Sequence, residues 1–369
     1  MAAALVGRFR SIAGKGPGYR QVLGAGRRNC AKSFPRPSQL VSPRSVDDDS
    51  AEGTARVTLA AMFDDHTPFT RSDAVAAGIS ERALKGPKYT RLYRKIYISS
   101  AVRVQWMHRF VAALLLHPEG AWLSHTSAAR VRRIAVPVDP HVHVSVIEAK
   151  DRRWSPGLKP HVAPPHTEVV LVDGLRVSGV VRMFVELAAV LPLVEVVVAG
   201  DSMCRRLDIT ADWLRAELDK SRDYWSPAAR YAARFVRDGV DSPMETRTRM
   251  LLVLAGFPEP EVNVTIRDEN GDVLLQFDLG YRSARVAVSY EGRQHAEIVD
   301  EWEKDVTTRR DRADDERWRV VTVVASGVYA DPLHTLDRVA RALRSRGVPV
   351  PRTYDPEWFR HFPGRRSVA

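Results

Sequence analysis

Apolar and polar positions alternate with three different rhythms along the chain, and their order predicts the elements. Residues 1–55 keep neither a period of 2 nor one of 3.6 and are rich in Gly, Ser, Pro and Arg. They read as a disordered leader, or as sequence upstream of a true start near Met62. From Thr70 the pattern becomes regular. Thr70 and Asp73 are three apart, the spacing of a capping pair, and Ala74, Val75 and Ala77 give a short apolar face closed by Gly78. Ser80 caps a second short helix over 81–85, which Gly86-Pro87 stops. Residues 89–98 then read as a strand pair or a strand with a tight turn.

Further on, Trp106 to Leu116 predicts an apolar helix, His141 to Val146 an alternating strand, and 190–199 a buried helix or strand. Residues 221–240 spread Arg and Tyr over a linking helix. Ser242-Pro243 opens another helix, with Glu245 at the capping-box position, Leu251, Leu252 and Leu254 inward, and Gly256 at its end. Strands follow at 262–266, 273–279 and 285–290, the first two joined by a hairpin at Asn270-Gly271. A long charged helix over 302–318, a strand over 320–324 and a helix over 336–343 complete the pattern.

The expected class is α/β, or α+β: an N-terminal winged helix-turn-helix over 56–100, a middle α/β scaffold over 101–240, a C-terminal mixed sheet flanked by helices over 241–350, and a tail over 351–369.

Charge alters this picture less than its total suggests. The chain has 369 residues and a formal net charge of +11, which points first to a polyanionic partner. More than half of that excess lies within residues 1–50, so bulk charge says little about the folded part. Two cysteines, Cys30 and Cys204, exclude a disulfide scaffold and a cysteine-clustered zinc site. No run of eighteen apolar residues predicts a membrane span, and a cytoplasmic location is expected.

Placement of charge is more informative. Arg82 and Lys85 fall on the exposed side of the second short helix, and Arg91, Arg94 and Lys95 on the wing, the two elements that a winged helix offers to duplex DNA. The same residues also suit a solvated face of a small interaction domain. His141 and His143 share a strand face and read as ordinary polar positions, not as a metal pair. His161 and His166 flank Pro164-Pro165 in an expected loop and carry no pattern.

In the C-terminal segment, Asp278 and Glu291 fall on adjacent antiparallel strands, and Glu245 approaches from a crossing helix. Carboxylates gathered at a sheet edge suit a hard divalent cation, Mg2+ with Mn2+ as substitute, for which Asp278 and Glu291 are the expected ligands. His295 stands close by in sequence as a proton shuttle or phosphate contact. Capping alone also explains Glu245, and Asp305 and Arg309 suit a plain i,i+4 ion pair.

Two family resemblances rest on these residues. FTRSDAVAAGISERAL at 69–84 and RLYRKIY at 91–97 resemble the N-terminal domain of AbiEi-type antitoxins. SHTSAA at 124–129, HVHVSV at 141–146 and VVRMFVELA at 180–188 extend that likeness over roughly 60–220. SPMETRTR at 242–249, GFPEPEVN at 256–263, FDLG at 277–280, VAVSYEG at 286–292, His295, WEKDVTTR at 302–309 and RWRVVTV at 317–323 resemble the domain of very-short-patch-repair endonucleases. That group is a branch of the PD-(D/E)xK superfamily.

The second resemblance implies a restriction-endonuclease-like fold and places Glu245, Asp278, Glu291 and His295 at the family's active-site positions. It implies Mg2+-dependent hydrolysis of a DNA phosphodiester. One position departs: Ser289 stands where the family has a glutamate two residues before 291. The first resemblance implies a different outcome, a non-enzymatic transcriptional regulator or antitoxin beside a partner toxin, with a degenerate nuclease fold.

Overall fold

A computed structural model describes residues 63–292 and 317–364. The chain divides into two compact units, Met1–Thr67 and Pro68–Ala369. In the first, the amide of His66 donates to Asp64 in a short turn (3.0 Å). The second holds all the elements below.

It begins with β1 (Phe69–Thr70), α1 (Arg71–Ala76), α2 (Glu81–Leu84), β2 (Tyr89–Tyr93) and β3 (Ile96–Ser99). Thr70 and Asp73 cap α1 reciprocally: the Asp73 amide donates to Thr70 Oγ1 (3.1 Å) and the Thr70 amide to Asp73 Oδ2 (2.9 Å). Ser80 caps α2, which is a single turn with Lys85 as its C-cap instead of its last helical residue. The strands form an antiparallel sheet in the order β1-β3-β2. Lys95 sits at the β2–β3 turn with φ 63°, the left-handed value that this tight reversal requires. Phe69 packs edge-on against Tyr89 and closes the small core.

The chain continues with α3 (Trp106–Leu116), β4 (Trp122–Leu123), α4 (His125–Val131), β5 (Val142–Val146), β6 (Leu158–Val162), β7 (Val169–Val172) and β8 (Leu175–Ser178). These strands form a mixed five-stranded sheet, β6-β5-β4-β8-β7. β5 and β6 run parallel, with Val142 opposite Leu158 and Ser145 opposite His161. Helix α4 packs on β5 and β8. Four helices follow: α5 (Val180–Val190), α6 (Leu193–Leu207), α7 (Ala211–Lys220) and α8 (Ser226–Ala233). Gly200 lets α6 approach closely, because a Cβ there would collide with Val236 and press on Phe184.

Next come α9 (Pro243–Leu254), β9 (Glu261–Arg267), β10 (Val273–Tyr281), β11 (Val286–Tyr290), β12 (Arg319–Val323), α10 (Ala325–Tyr329), α11 (Pro332–Arg344) and α12 (Glu357–His361). The four-stranded sheet runs β12-β11-β10-β9, with only the β11–β12 pair parallel. Val264, Leu275, Phe277, Ala287 and Trp318 form a core cluster on it. Helix α9 is tied to α6 by Arg247, which meets Glu195 through two nitrogens (2.9 and 2.7 Å), and by the buried Arg249–Asp201 pair.

The architecture is thus mixed α/β, with three open sheets flanked by helices among the described residues. Most expected elements fall where the apolar pattern put them. The segment 190–199, left open between helix and strand, lies mainly in α6, and His161 lies in β6, not in a loop. The expected long helix over 302–318 falls almost wholly outside the described residues.

Candidate functional site

Three groups of chemistry-bearing side chains stand on this frame. The first is basic. Arg82, Lys85, Arg91, Arg94 and Lys95 are all exposed. The turn that places Arg94 and Lys95 outward is fixed by Tyr93 and Ile96, whose side chains are buried on either side of it. An open cleft of about 610 Å³ runs between this turn and α1, lined by Arg71, Arg94 and Lys95 together with Thr70, Val75 and Leu115. Arg71 is already engaged by Glu81, so the cationic lining available to a ligand comes chiefly from the turn.

The second group is acidic. Pairing between β10 and β11 ends at Leu279–Val288, so Asp278 stands level with Ser289 at the point where the strands part. There the Asp278 carboxylate accepts the amide of Tyr290 (2.6 Å). Glu291 follows directly, half-buried, and its amide continues the ladder to the Val323 carbonyl (2.8 Å). Glu245 lies buried in the first turn of α9. Its amide donates to Ser242 Oγ (3.2 Å), and its carboxylate accepts the Asp241 amide (3.0 Å). Burial, reinforced by the negative charge of Asp278, pushes the Glu245 carboxyl up to about 7.

Glu245 and Asp278 are therefore brought within electrostatic reach of one another, on α9 and β10 as expected. Half of the expected capping box forms: Ser242 Oγ accepts the Glu245 amide, but the Glu245 carboxylate takes the Asp241 amide, one residue before the cap, in place of the Ser242 amide. His295 lies outside the described residues, as do Asp305 and Arg309.

The third group was not expected. His125 opens α4, His143 lies in the middle of β5 and His161 in β6. One ligating nitrogen from each lies within 4.8 Å of the others, so the cluster could hold a metal ion. It is the only set of three His, Cys, Asp or Glu side chains gathered this closely among the described residues. The acids Glu245, Asp278 and Glu291 are not so gathered.

The histidine cluster is supported from behind. Asp139 Oδ2 lies 2.9 Å from His143 Nε2, and Asp139 Oδ1 accepts the His141 amide (2.9 Å). Burial opposes ionisation of Asp139, but these hydrogen bonds and the His143 ring outweigh it and hold the carboxyl at about 2. The His125 backbone is held at φ 50° while its amide donates to Glu186 Oε2 (3.0 Å). Glu186 also accepts from Ser178 Oγ (2.8 Å) and Arg182 Nε (2.9 Å). A left-handed φ is costly for a residue with a Cβ and persists only where its surroundings enforce it.

Burial lowers all three imidazoles. His161 falls to about 4, through burial first and then the neighbouring His143 ring. Neutral imidazole is the ligating form.

His141 lies just before β5 and His143 within it, so they do not share a strand face as expected, although both meet Asp139. The expectation of an ordinary polar face fails for His143, which is 1% exposed and part of the cluster. Its partners were hidden because the parallel register of β5 and β6 sets His161 diagonally across from it. No local pattern encodes that pairing.

Among the described residues, no helix is long and apolar enough to cross a membrane. No protein-family model matches the chain, and no curated protein matches it.

Proposed function

We propose that this is a DNA-associated protein in which residues 68–99 act as a winged helix and the C-terminal sheet acts as a PD-(D/E)xK-type nuclease centre. In this reading Arg82 and Lys85 on α2 and its cap, and Arg91, Arg94 and Lys95 on the hairpin, meet backbone phosphates. Duplex binding then brings a phosphodiester to the acids of the four-stranded sheet. Asp278 and Glu291 would hold Mg2+, which supplies an activated water and neutralises charge on the phosphodiester oxygens. Mn2+ would serve in its place. His295 has the role of proton shuttle or phosphate contact.

The observation that carries the reading is the Glu245–Asp278 pair. A carboxyl raised to about 7, first by burial and then by a second carboxylate, is the environment that a divalent cation relieves. The order of elements, helix followed by an antiparallel three-strand meander and a parallel fourth strand, supports the very-short-patch-repair-like assignment. Two short helices followed by a basic hairpin support the AbiEi-like one. Both are consistent with a cytoplasmic protein.

A second reading is favoured by Ser289. It stands level with Asp278, where the resembled family carries a glutamate, and serine is a poor ligand for Mg2+. Asp278 and Glu245 each also satisfy a backbone amide. In that case the chain is a non-enzymatic DNA-binding regulator or antitoxin with a partner toxin, and the nuclease-like fold serves assembly.

The test is nicking of supercoiled plasmid by the full chain with Mg2+ or Mn2+. The first reading expects cleavage that Asp278→Ala abolishes. Duplex binding without cleavage under any divalent ion selects the second.

A further inference from the structure

The histidine cluster lies on a different sheet from the acids and plays no part in the reading above. His125, His143 and His161 come from a helix start and two parallel strands, yet a ligating nitrogen of each falls within 4.8 Å of the others. The set contains imidazole nitrogen and no oxygen ligand, so it does not suit Mg2+, which takes oxygen donors and keeps much of its water. It suits zinc and the neighbouring borderline transition ions.

The spacing agrees. Two nitrogens bound to tetrahedral zinc at about 2.0–2.1 Å stand roughly 3.3 Å apart. His143 Nδ1 and His161 Nε2 are 3.0 Å apart. His161 stacks on both other rings, at interplanar angles of 15° to His143 and 22° to His125, and His125 is tilted by 37° from His143. Imidazole lone pairs lie in the ring planes, so an ion would have to draw the rings out of this stack for the three to converge on it.

Each ring also has outside support. Asp139 at 2.9 Å holds the proton on His143 Nε2 and turns Nδ1 inward, the carboxylate–histidine–metal arrangement. Ser124 Oγ lies 3.0 Å from His125 Nδ1, which leaves Nε2 as the ligand atom of that ring. The left-handed backbone of His125, pinned through its amide to the buried Glu186, fixes where this ring stands. His161 is the least buried of the three.

We propose that His125, His143 and His161 form a binding site for one zinc-class divalent ion, with Asp139 as the positioning carboxylate behind His143 and a water molecule in the fourth position. Three histidines and a water make an open site, unlike the closed four-ligand sites that serve only to hold a fold together.

The experiment uses the full chain, stripped with chelator and titrated with Zn2+ against a chromophoric chelator, then with Co2+ read by visible absorption. One ion per chain, and the intense absorption of four-coordinate cobalt, are expected. His161→Ala, at the half-buried position, should lose affinity by roughly 100-fold or more, and Asp139→Asn by about 10–100-fold with the cobalt spectrum kept. Should His143→Ala fail to fold, His161→Ala still decides. Absence of stoichiometric uptake by the folded wild-type chain overturns the site, as does undiminished uptake by His161→Ala. Unchanged affinity in Asp139→Asn overturns the positioning role. Asp278→Ala should bind zinc normally, which separates this proposal from the nuclease reading.

Discussion

Arg249 of α9 is fully buried and donates to Asp201 of α6 at 2.9 Å, with no solvent reaching its guanidinium. Asp201 is buried as well and also accepts the Thr246 hydroxyl (2.8 Å) and the Arg237 amide (2.8 Å). The second arm of Arg249 meets Glu259 at 3.0 Å. Removing one member strands a charge away from water, so Arg249→Ala or Asp201→Ala should cost about 3–5 kcal/mol. The double variant Arg249→Ala, Asp201→Ala should cost less than the sum of the singles. Urea unfolding of the four chains measures both. Additive losses would show that the two side chains do not act as a pair.

Glu245 gives stability a pH dependence of definite sign. Its folded value of about 7 stands above the ordinary 4.5, so the folded chain holds the proton more tightly than the unfolded chain does. Between those values the native state binds more protons. Its contribution therefore falls as pH rises from about 4.5 to 7 and is constant beyond. The full effect is at most about 3 kcal/mol. Glu245→Gln should flatten that part of the stability–pH curve, read by denaturant midpoints at matched ionic strength. An unchanged slope would mean that Glu245 is solvated.

Gly200 tests the packing of α6. An added Cβ would collide with Val236 and stand 3.0 Å from Phe184. Gly200→Ala should destabilise by about 1–3 kcal/mol despite the better helix propensity of alanine, seen as a lowered Tm. A raised Tm would show that propensity outweighs the clash.

Local rules made much of the fold legible. The Thr70–Asp73 and Ser242–Glu245 spacings located two helix starts, and Asn270-Gly271 located a hairpin, because caps and turns are chemistry between neighbours in sequence. Very short strands were not legible: β4 has two residues, too few to show alternation, although it lies at the centre of its sheet. Sequence position paired Asp278 with Glu291 as ion ligands and let Glu245 approach from a crossing helix; the structure brings Glu245 within electrostatic reach of Asp278. The histidine cluster was not legible. His125, His143 and His161 meet only through α4 packing and the β5–β6 register, which are tertiary facts. The Ser-His step at 124–125 and the His141/His143 alternation were its only local traces.

The central claim is duplex contact by the basic helix–hairpin surface, shared by the catalytic and regulatory readings. Its most direct measurement is the affinity of the full chain for a short DNA duplex over a series of salt concentrations, beside the same series for the Arg91→Glu, Arg94→Glu double variant. Each phosphate contact contributes about −0.9 to the slope of log affinity against log salt. Wild type should bind with a clear negative slope, and the double variant should bind more weakly with a slope shallower by about 2. Absence of binding, or an equal affinity and slope in the variant, would contradict the account.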